Sequence, residues 1–168
     1  MEGVKSGVRL GGVFELVCRG PDGKIKWRDT APNLVTTQGL QHILDTEFTG
    51  SSQVSTWYVG LTDDSPTPAA GDTLASHGSW TEFDEYTGDR KEWDETRSSQ
   101  TLSNSSSVAS FAITGAGGGV GGAFLCSAAS GTSGTLMSVA ALSGGNRAPA
   151  SGDTVEVTYT FSAADDGS

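Results

Sequence analysis

Positive charge is scarce in this 168-residue chain: 10 lysines and arginines stand against 20 aspartates and glutamates, for a formal net charge of −10. A protein that grips phosphate backbones needs the opposite balance, so nucleic acid is not expected as a direct partner. Long apolar runs are missing as well. No stretch approaches the roughly 20 apolar residues of a membrane helix, and Met1-Glu2-Gly3 opens without the basic-then-apolar pattern of a secretory leader. Neither membrane insertion nor export is expected. Sulfur and imidazole are sparse too. Two cysteines far apart in sequence and two isolated histidines, His42 and His77, offer no paired metal-ligand spacing. Cys18 in GVFELVCRG and Cys126 in GGAFLCSA each follow apolar residues on an expected strand. There a thiol behaves as a small buried hydrophobe, and no disulfide, metal or cofactor is expected.

What the chain has in quantity is glycine, 24 residues, with serine and threonine around short apolar runs. Its length suits one domain. GVFELVCRGPDGKIKW predicts a β-hairpin, with strands near Val13 to Arg19 and Lys24 to Arg28, because Gly20-Pro21-Asp22-Gly23 combines a preset φ with a residue tolerant of positive φ. In APNLVTTQGLQHILDTEF, Leu40, Ile43, Leu44 and Phe48 recur at helical spacing after a Thr36 N-cap, with Val35 at the staple position opposite Leu40. One helix is expected, from about Thr37 to Thr46, weakened by Gly39. VSTWYVGL alternates as a strand. Near-neutral runs at VASFAI, GAFLCSA, GTLMSVAAL and TVEVTYTF, separated by Gly/Ser turns, predict further strands. The fold class expected is mainly β: an antiparallel β-sandwich, jelly-roll-like, of about eight strands with one short helix. Residues 1–28 read as a hairpin arm and 29–168 as the sandwich. The expected core comprises Leu40, Ile43, Leu44, Trp57, Val59, Phe111, Phe124, Val157, Tyr159 and Phe161.

Residues 62–97 form an acidic, aromatic insert that holds 10 of the 20 acidic residues together with Trp80, Tyr86 and Trp93. Its carboxylates mix with Arg90, Lys91 and Arg97, as on a solvated face with local ion pairs. Paired catalytic carboxylates and a calcium site at Asp63 and Asp64 are the sharper alternatives. Trp80, Tyr86 and Trp93 are candidates for partner or sugar contact, with core packing as the competing role. GGGVGG at 117–122 matches GxGxxG formally, but the strand-like AFLCSA follows instead of a helix, so no nucleotide loop is expected. PAAGDT (68–73) and PASGDT (149–154) echo each other and read as one turn type used twice. Asn104-Ser105-Ser106 matches a glycosylation acceptor. No nucleophile, metal or phosphate constellation emerges, and no enzyme activity is expected.

Several segments in order resemble a family of small tailed-bacteriophage virion structural proteins: NLVTTQGLQHIL, TWYVGL, PAAGDTLASHGSWTEF, GGAFLCS and SGDTVEVTYTF. The resemblance implies a virion component without catalytic residues, of the head decoration or cement type. It would be made in the host cytoplasm and carried on the capsid exterior. Its partners would then be the major capsid protein and further copies of itself, as a dimer or trimer. Six of the ten basic residues lie in the first 28 positions: Lys5, Arg9, Arg19, Lys24, Lys26 and Arg28. Those in the hairpin, Arg9, Arg19, Lys24, Lys26 and Arg28, are the candidate tether to an acidic lattice. The competing role is to blunt an exposed sheet edge. A tail or baseplate protein, a carbohydrate-binding module and a hydrolase are the rival functions.

Overall fold

The computed structural model describes residues 7–115 and 118–165, so Lys5 and Gly117 lie outside the described residues. The hairpin forms as expected but is longer. β1 (Val8–Arg19) and β2 (Ile25–Pro32) flank the predicted turn, where Gly20 N–H donates to the Lys24 carbonyl at 2.9 Å and Gly23 has φ 77°. The chain continues through β3 (Leu34–Val35), α1 (Thr37–Phe48), β4 (Tyr58–Asp63), β5 (Thr81–Phe83) and β6 (Lys91–Glu92). β7 (Thr96–Ser98), β8 (Thr101–Ser103), β9 (Ala109–Ala112), β10 (Val120–Cys126), β11 (Leu136–Ala141) and β12 (Thr154–Asp165) complete it. The strands number twelve instead of about eight because the insert and its flanks contribute pieces of two to four residues.

The strands form two antiparallel six-stranded sheets. One runs β2-β1-β12-β8-β7 with β9 also on β12; the other runs β3-β11-β10-β4-β5 with β6 also on β4. Phe14 and Leu16 of β1 and Val155, Val157 and Tyr159 of β12 face Val59, Leu61, Ala123 and Leu125 of the second sheet in one core cluster. This is the β-sandwich that the period-2 alternation predicted. Phe14 stacks on Tyr159 with centroids 3.9 Å apart.

The N-terminal hairpin is not an appended arm. β1 lies between β2 and β12 and pairs with β12 along its whole length, from Val8↔Asp165 to Arg19↔Thr154, and Phe14, Leu16 and Cys18 are fully buried. Apolar side chains on alternate positions of a strand need a facing layer, and here that layer is the second sheet. The edge of the first sheet is β2, which carries Lys26, Arg28 and Pro32, residues that discourage further strand pairing.

The insert divides by side-chain type. Trp80, Tyr86 and Trp93 are 5, 8 and 4 % exposed, so these candidates for partner contact are core residues. Trp80 and Leu74 form a second apolar cluster with Phe124, Cys126, Leu136 and Val139, a cluster separate from the one between the sheets. Tyr86 meets Phe111 edge-on at 4.8 Å. Trp93 donates its indole N–H to the Tyr159 carbonyl at 3.1 Å. β10 is consequently buried along its whole length, which is why its sequence is a continuous apolar run. Gly60 is required beneath it: a Cβ there would come within 2.2 Å of the Phe124 ring.

The echoed PAAGDT and PASGDT are indeed one turn used twice. Asp72 accepts from Ala69 N–H at 3.0 Å and Asp153 from Ala150 N–H at 2.8 Å, with the backbone bond returned in each case. Their remaining partners differ. Asp72 receives the Trp80 indole at 3.4 Å, whereas Asp153 receives Lys26 Nζ at 2.6 Å.

Candidate functional site

An apolar concavity lies beside α1, and the way the helix is fastened accounts for it. Thr36 caps the helix by accepting from Gly39 N–H at 3.0 Å, and its hydroxyl donates to the Leu136 carbonyl. Gln38 Oε1 accepts from Leu136 N–H at 2.8 Å, extending the free edge of β11 with a side chain. Gly39 sits so close to β11 that a Cβ would lie 2.5 Å from the Met137 carbonyl oxygen. The helix-weakening glycine is therefore what allows the first turn to seat on the sheet. Beyond that turn α1 is held by fewer contacts, and a cleft of about 360 Å³ remains. His42, Ile43, Thr46, Glu47 and Phe48 form its helical side, with Gln53, Val54 and Trp57 from the chain that follows. Trp93, Leu102, Leu125, Met137 and Phe161 complete it. Its volume falls within the range of small-ligand and side-chain pockets. His42 lies edge-on to Trp57 at 5.4 Å.

The outer face of the same helix overturns part of the expected core. Leu40, Leu44 and Phe48 are 42, 56 and 78 % exposed, while Ile43 is partly buried against the core cluster. The four apolar positions span an arc too wide for one contact. Gly39 sets which side docks, so Ile43 turns inward while Leu40 and Leu44 point away and Phe48 stands exposed at the rim of the cleft. Val59, Phe111, Phe124, Val157 and Tyr159 are buried as expected, and Trp57 and Phe161 are partly buried at the cleft.

The five basic candidates do not gather into a tether. Arg19 pairs with Glu156 at 2.9 Å, Lys24 with Asp22 at 3.2 Å, Lys26 with Asp153 at 2.6 Å and Arg28 with Glu15 at 3.2 Å. Only Arg9, exposed on β1, makes no ion pair among the described residues. Most of the hairpin's positive charge is thus spent on neighbouring carboxylates. Of the aromatic candidates, Trp93 borders the cleft and Trp80 and Tyr86 do not.

Part of the insert's charge is structural, while Asp84, Asp89, Glu92, Asp94, Glu95 and Arg97 are exposed. Arg90 is buried and makes a two-pronged contact with Glu82, at 2.8 and 2.6 Å, and also donates to the carbonyls of Ala128 at 2.9 Å and Gly131 at 2.8 Å. It pins the β10–β11 connection to the insert. Asp64 accepts from the Asn146 amide at 2.8 Å and His77 stacks on Trp80 at 3.7 Å. Among the described residues no group of three or more histidine, cysteine or acidic side chains is placed to hold a metal ion. GGGVGG leads into β10, a strand, and Asn104 is wholly buried. Among the described residues no helix is long and apolar enough to cross a membrane.

Two buried carboxylates tie the sandwich together. Burial pushes Asp29 up, but Ser143 at 2.6 Å, Arg147 at 3.0 Å and the N–H groups of Thr30 and Gly144 hold it below the ordinary carboxylate range. Asp153 balances in the same way, burial opposed by Lys26 and Ala150 N–H, and is also lowered. The Cys18 thiol, buried beside Asp153, is pushed up to about 11, and Cys126 is raised by burial; both are free. Neither is a nucleophile at neutral pH. No family model, curated protein or solved structure matches this chain.

Sequence reasoning found α1 but assigned Leu40 and Leu44 to the core, and it missed the cleft. The available signal was the width of the Leu40–Ile43–Leu44–Phe48 arc together with a glycine at its flank.

Proposed function

We propose that this protein is a structural component of a bacteriophage virion, a capsid decoration (cement) protein that binds the major capsid protein lattice and stabilises the head. One observation carries the docking role: an apolar row, Leu40–Leu44–Phe48, stands exposed on a helix beside an apolar cleft. A chain with a net charge of −10 does not need these side chains for its own core. Contiguous exposed apolar surface of this kind is typical of surfaces that other proteins cover. The virion setting rests on the segment resemblance. Weak contacts of this size become durable when many identical copies bind one lattice.

The docking surface proposed is the α1 face, in place of the hairpin. The hairpin's charges are mostly paired and its first strand is structural. Sugar binding loses its aromatic platform, because Trp80, Tyr86 and Trp93 are buried. Of the insert's carboxylates, Glu82 is engaged by Arg90 and Asp64 by Asn146.

The test is to mix purified protein with heads stripped of it and to label intact particles with antibody. Label on heads, with binding lost in Phe48→Asp, is the expected result. Label on tails would make it a tail protein, and failure to bind stripped heads would end the decoration proposal.

A further inference from the structure

We infer that the cleft beside α1 receives an aromatic side chain from a basic segment of a protein partner, with a lysine or arginine next to that anchor set against Glu47. The inference rests on reading the α1 region as a docking surface, and it does not depend on the virion setting.

The cleft is formed before any partner arrives. Its walls belong to the sandwich: Leu125 and Met137 come from β10 and β11, and Leu102 of β8 lies in register with Phe161 of β12. Trp93 is fixed twice, its backbone N–H donating to the Trp57 carbonyl at 2.8 Å and its indole to the Tyr159 carbonyl at 3.1 Å. The helical wall is anchored through its first turn, where Thr37 N–H also donates to the Ala70 carbonyl at 2.8 Å. A site held in this way loses little conformational freedom on binding. A cavity of about 150 Å³ admits a benzene ring, so the cleft, at about 360 Å³, has room for an indole. Trp57, Phe48 and Phe161 supply ring partners for it.

The charge around the cleft has one sign left over. The lining holds a single carboxylate, Glu47, and no lysine or arginine. Glu47 is exposed and makes no ion pair among the described residues, and the same holds for Asp94 and Glu95, which follow Trp93 directly. The chain's own bases are engaged elsewhere: Arg19, Lys24, Lys26, Arg28, Arg90 and Arg147 each have a carboxylate partner. Arg97, in register with Leu102, donates to the Ser99 carbonyl at 3.1 Å. A basic segment supplies what these acids lack, and the net charge of −10 draws it in. An exposed carboxylate adds little affinity by itself. Its part is to select the sign of the residue beside the anchor, while the apolar cleft holds the anchor.

Three capped tripeptides, Lys-Trp-Lys, Glu-Trp-Glu and Lys-Ala-Lys, serve as probes, titrated into the isotope-labelled full chain over the millimolar range that one anchoring side chain reaches. Lys-Trp-Lys should shift the amide signals of Glu47, Gln53, Val54 and Trp57. It should bind roughly 10-fold more tightly than Glu-Trp-Glu, in which attraction becomes repulsion, and added salt should weaken it. Lys-Ala-Lys should leave those signals in place. Glu47→Lys, a change at an exposed side chain, should abolish the preference between the two tryptophan peptides. Val54→Trp should fill the cleft and remove binding of both; if that variant does not keep the circular dichroism of the parent, Gln53→Trp takes its place. Shifts that avoid the cleft, equal affinity for Lys-Trp-Lys and Glu-Trp-Glu, or a response to Lys-Ala-Lys as large as that to Lys-Trp-Lys overturns the inference. Stripped heads that hold Glu47→Lys and Val54→Trp as firmly as the parent end this inference and leave the decoration proposal standing. A chain whose cleft takes Lys-Trp-Lys but that labels no particle does the reverse.

Discussion

Replacing Asn104 puts the sandwich's least obvious connection to a direct test. β8 ends at Ser103, opposite Thr160, and β9 begins at Ala109, opposite Val157, so the ladder along β12 is interrupted between them. The Asn104 side chain fills the gap. Its Oδ1 accepts from Tyr159 N–H at 2.7 Å, and its Nδ2 donates to the Val157 carbonyl at 3.1 Å and, at longer range, to the Ser107 carbonyl at 3.4 Å. Alanine would strand a buried N–H and a buried carbonyl. At about 1–3 kcal/mol for each of the two orphaned groups, the expected loss is about 2–6 kcal/mol, to which the long Ser107 bond adds little. Asn104→Asp keeps the acceptor but turns a carboxylate oxygen toward two carbonyls. Only the protonated acid can donate there, so folding raises its pKa above the unfolded value of about 3.9. The destabilisation is then smallest below that value and grows as pH rises through the folded pKa. Urea unfolding followed by tryptophan fluorescence measures both effects. With a slope near 2 kcal/mol/M, Asn104→Ala should lower the midpoint by about 1–3 M without changing the slope. A midpoint shift under about 0.2 M, or an Asn104→Asp penalty equal at pH 4 and pH 7, would refute the role assigned to this side chain.

Leu44→Ala should change stability by less than about 0.5 kcal/mol, whereas Leu16→Ala, fully buried in β1, should cost about 2–5 kcal/mol; denaturation midpoints compare the two. Asp29 and Asp153 have depressed folded pKa values, so the stability they contribute is present above the unfolded value of about 3.9 and is lost as pH falls through the folded values. Thermal midpoints should therefore drop on acidification into that range, and less steeply in Asp29→Asn. Cys18 and Cys126 should resist a thiol reagent at neutral pH and react only after unfolding; rapid labelling of the native chain would contradict their burial. Deleting residues 1–28 removes the strand between β2 and β12 and should abolish cooperative unfolding, and a truncated chain that still melts cooperatively would restore the hairpin to the status of an arm.

The sequence by itself determined what depends on local pattern. Alternation in TVEVTYTF fixes which side of that strand is apolar, whereas VSTWYVGL becomes a strand only from Tyr58 and is buried on both sides there. Gly20-Pro21-Asp22-Gly23 can hardly do other than turn, Thr36 caps the helix it precedes, and both PxxGDT segments close the same turn, the Asp carboxylate accepting from the amide three residues before it. The mainly-β class follows from those local choices. What tertiary structure alone decided is which apolar surfaces meet. Whether Trp80, Tyr86 and Trp93 face solvent or core depends on Phe124 of β10, Phe111 of β9 and Tyr159 of β12, contacts between residues far apart in sequence. The hairpin is a structural element and not an arm because β12, at the far end of the chain, pairs with it. Leu44 and Ile43 are adjacent and equally apolar, and only the seating of Gly39 against Met137 sends one inward and leaves the other on the surface. Periodicity specifies that a helix has an apolar side; it carries no information on how much of that side the rest of the molecule will cover.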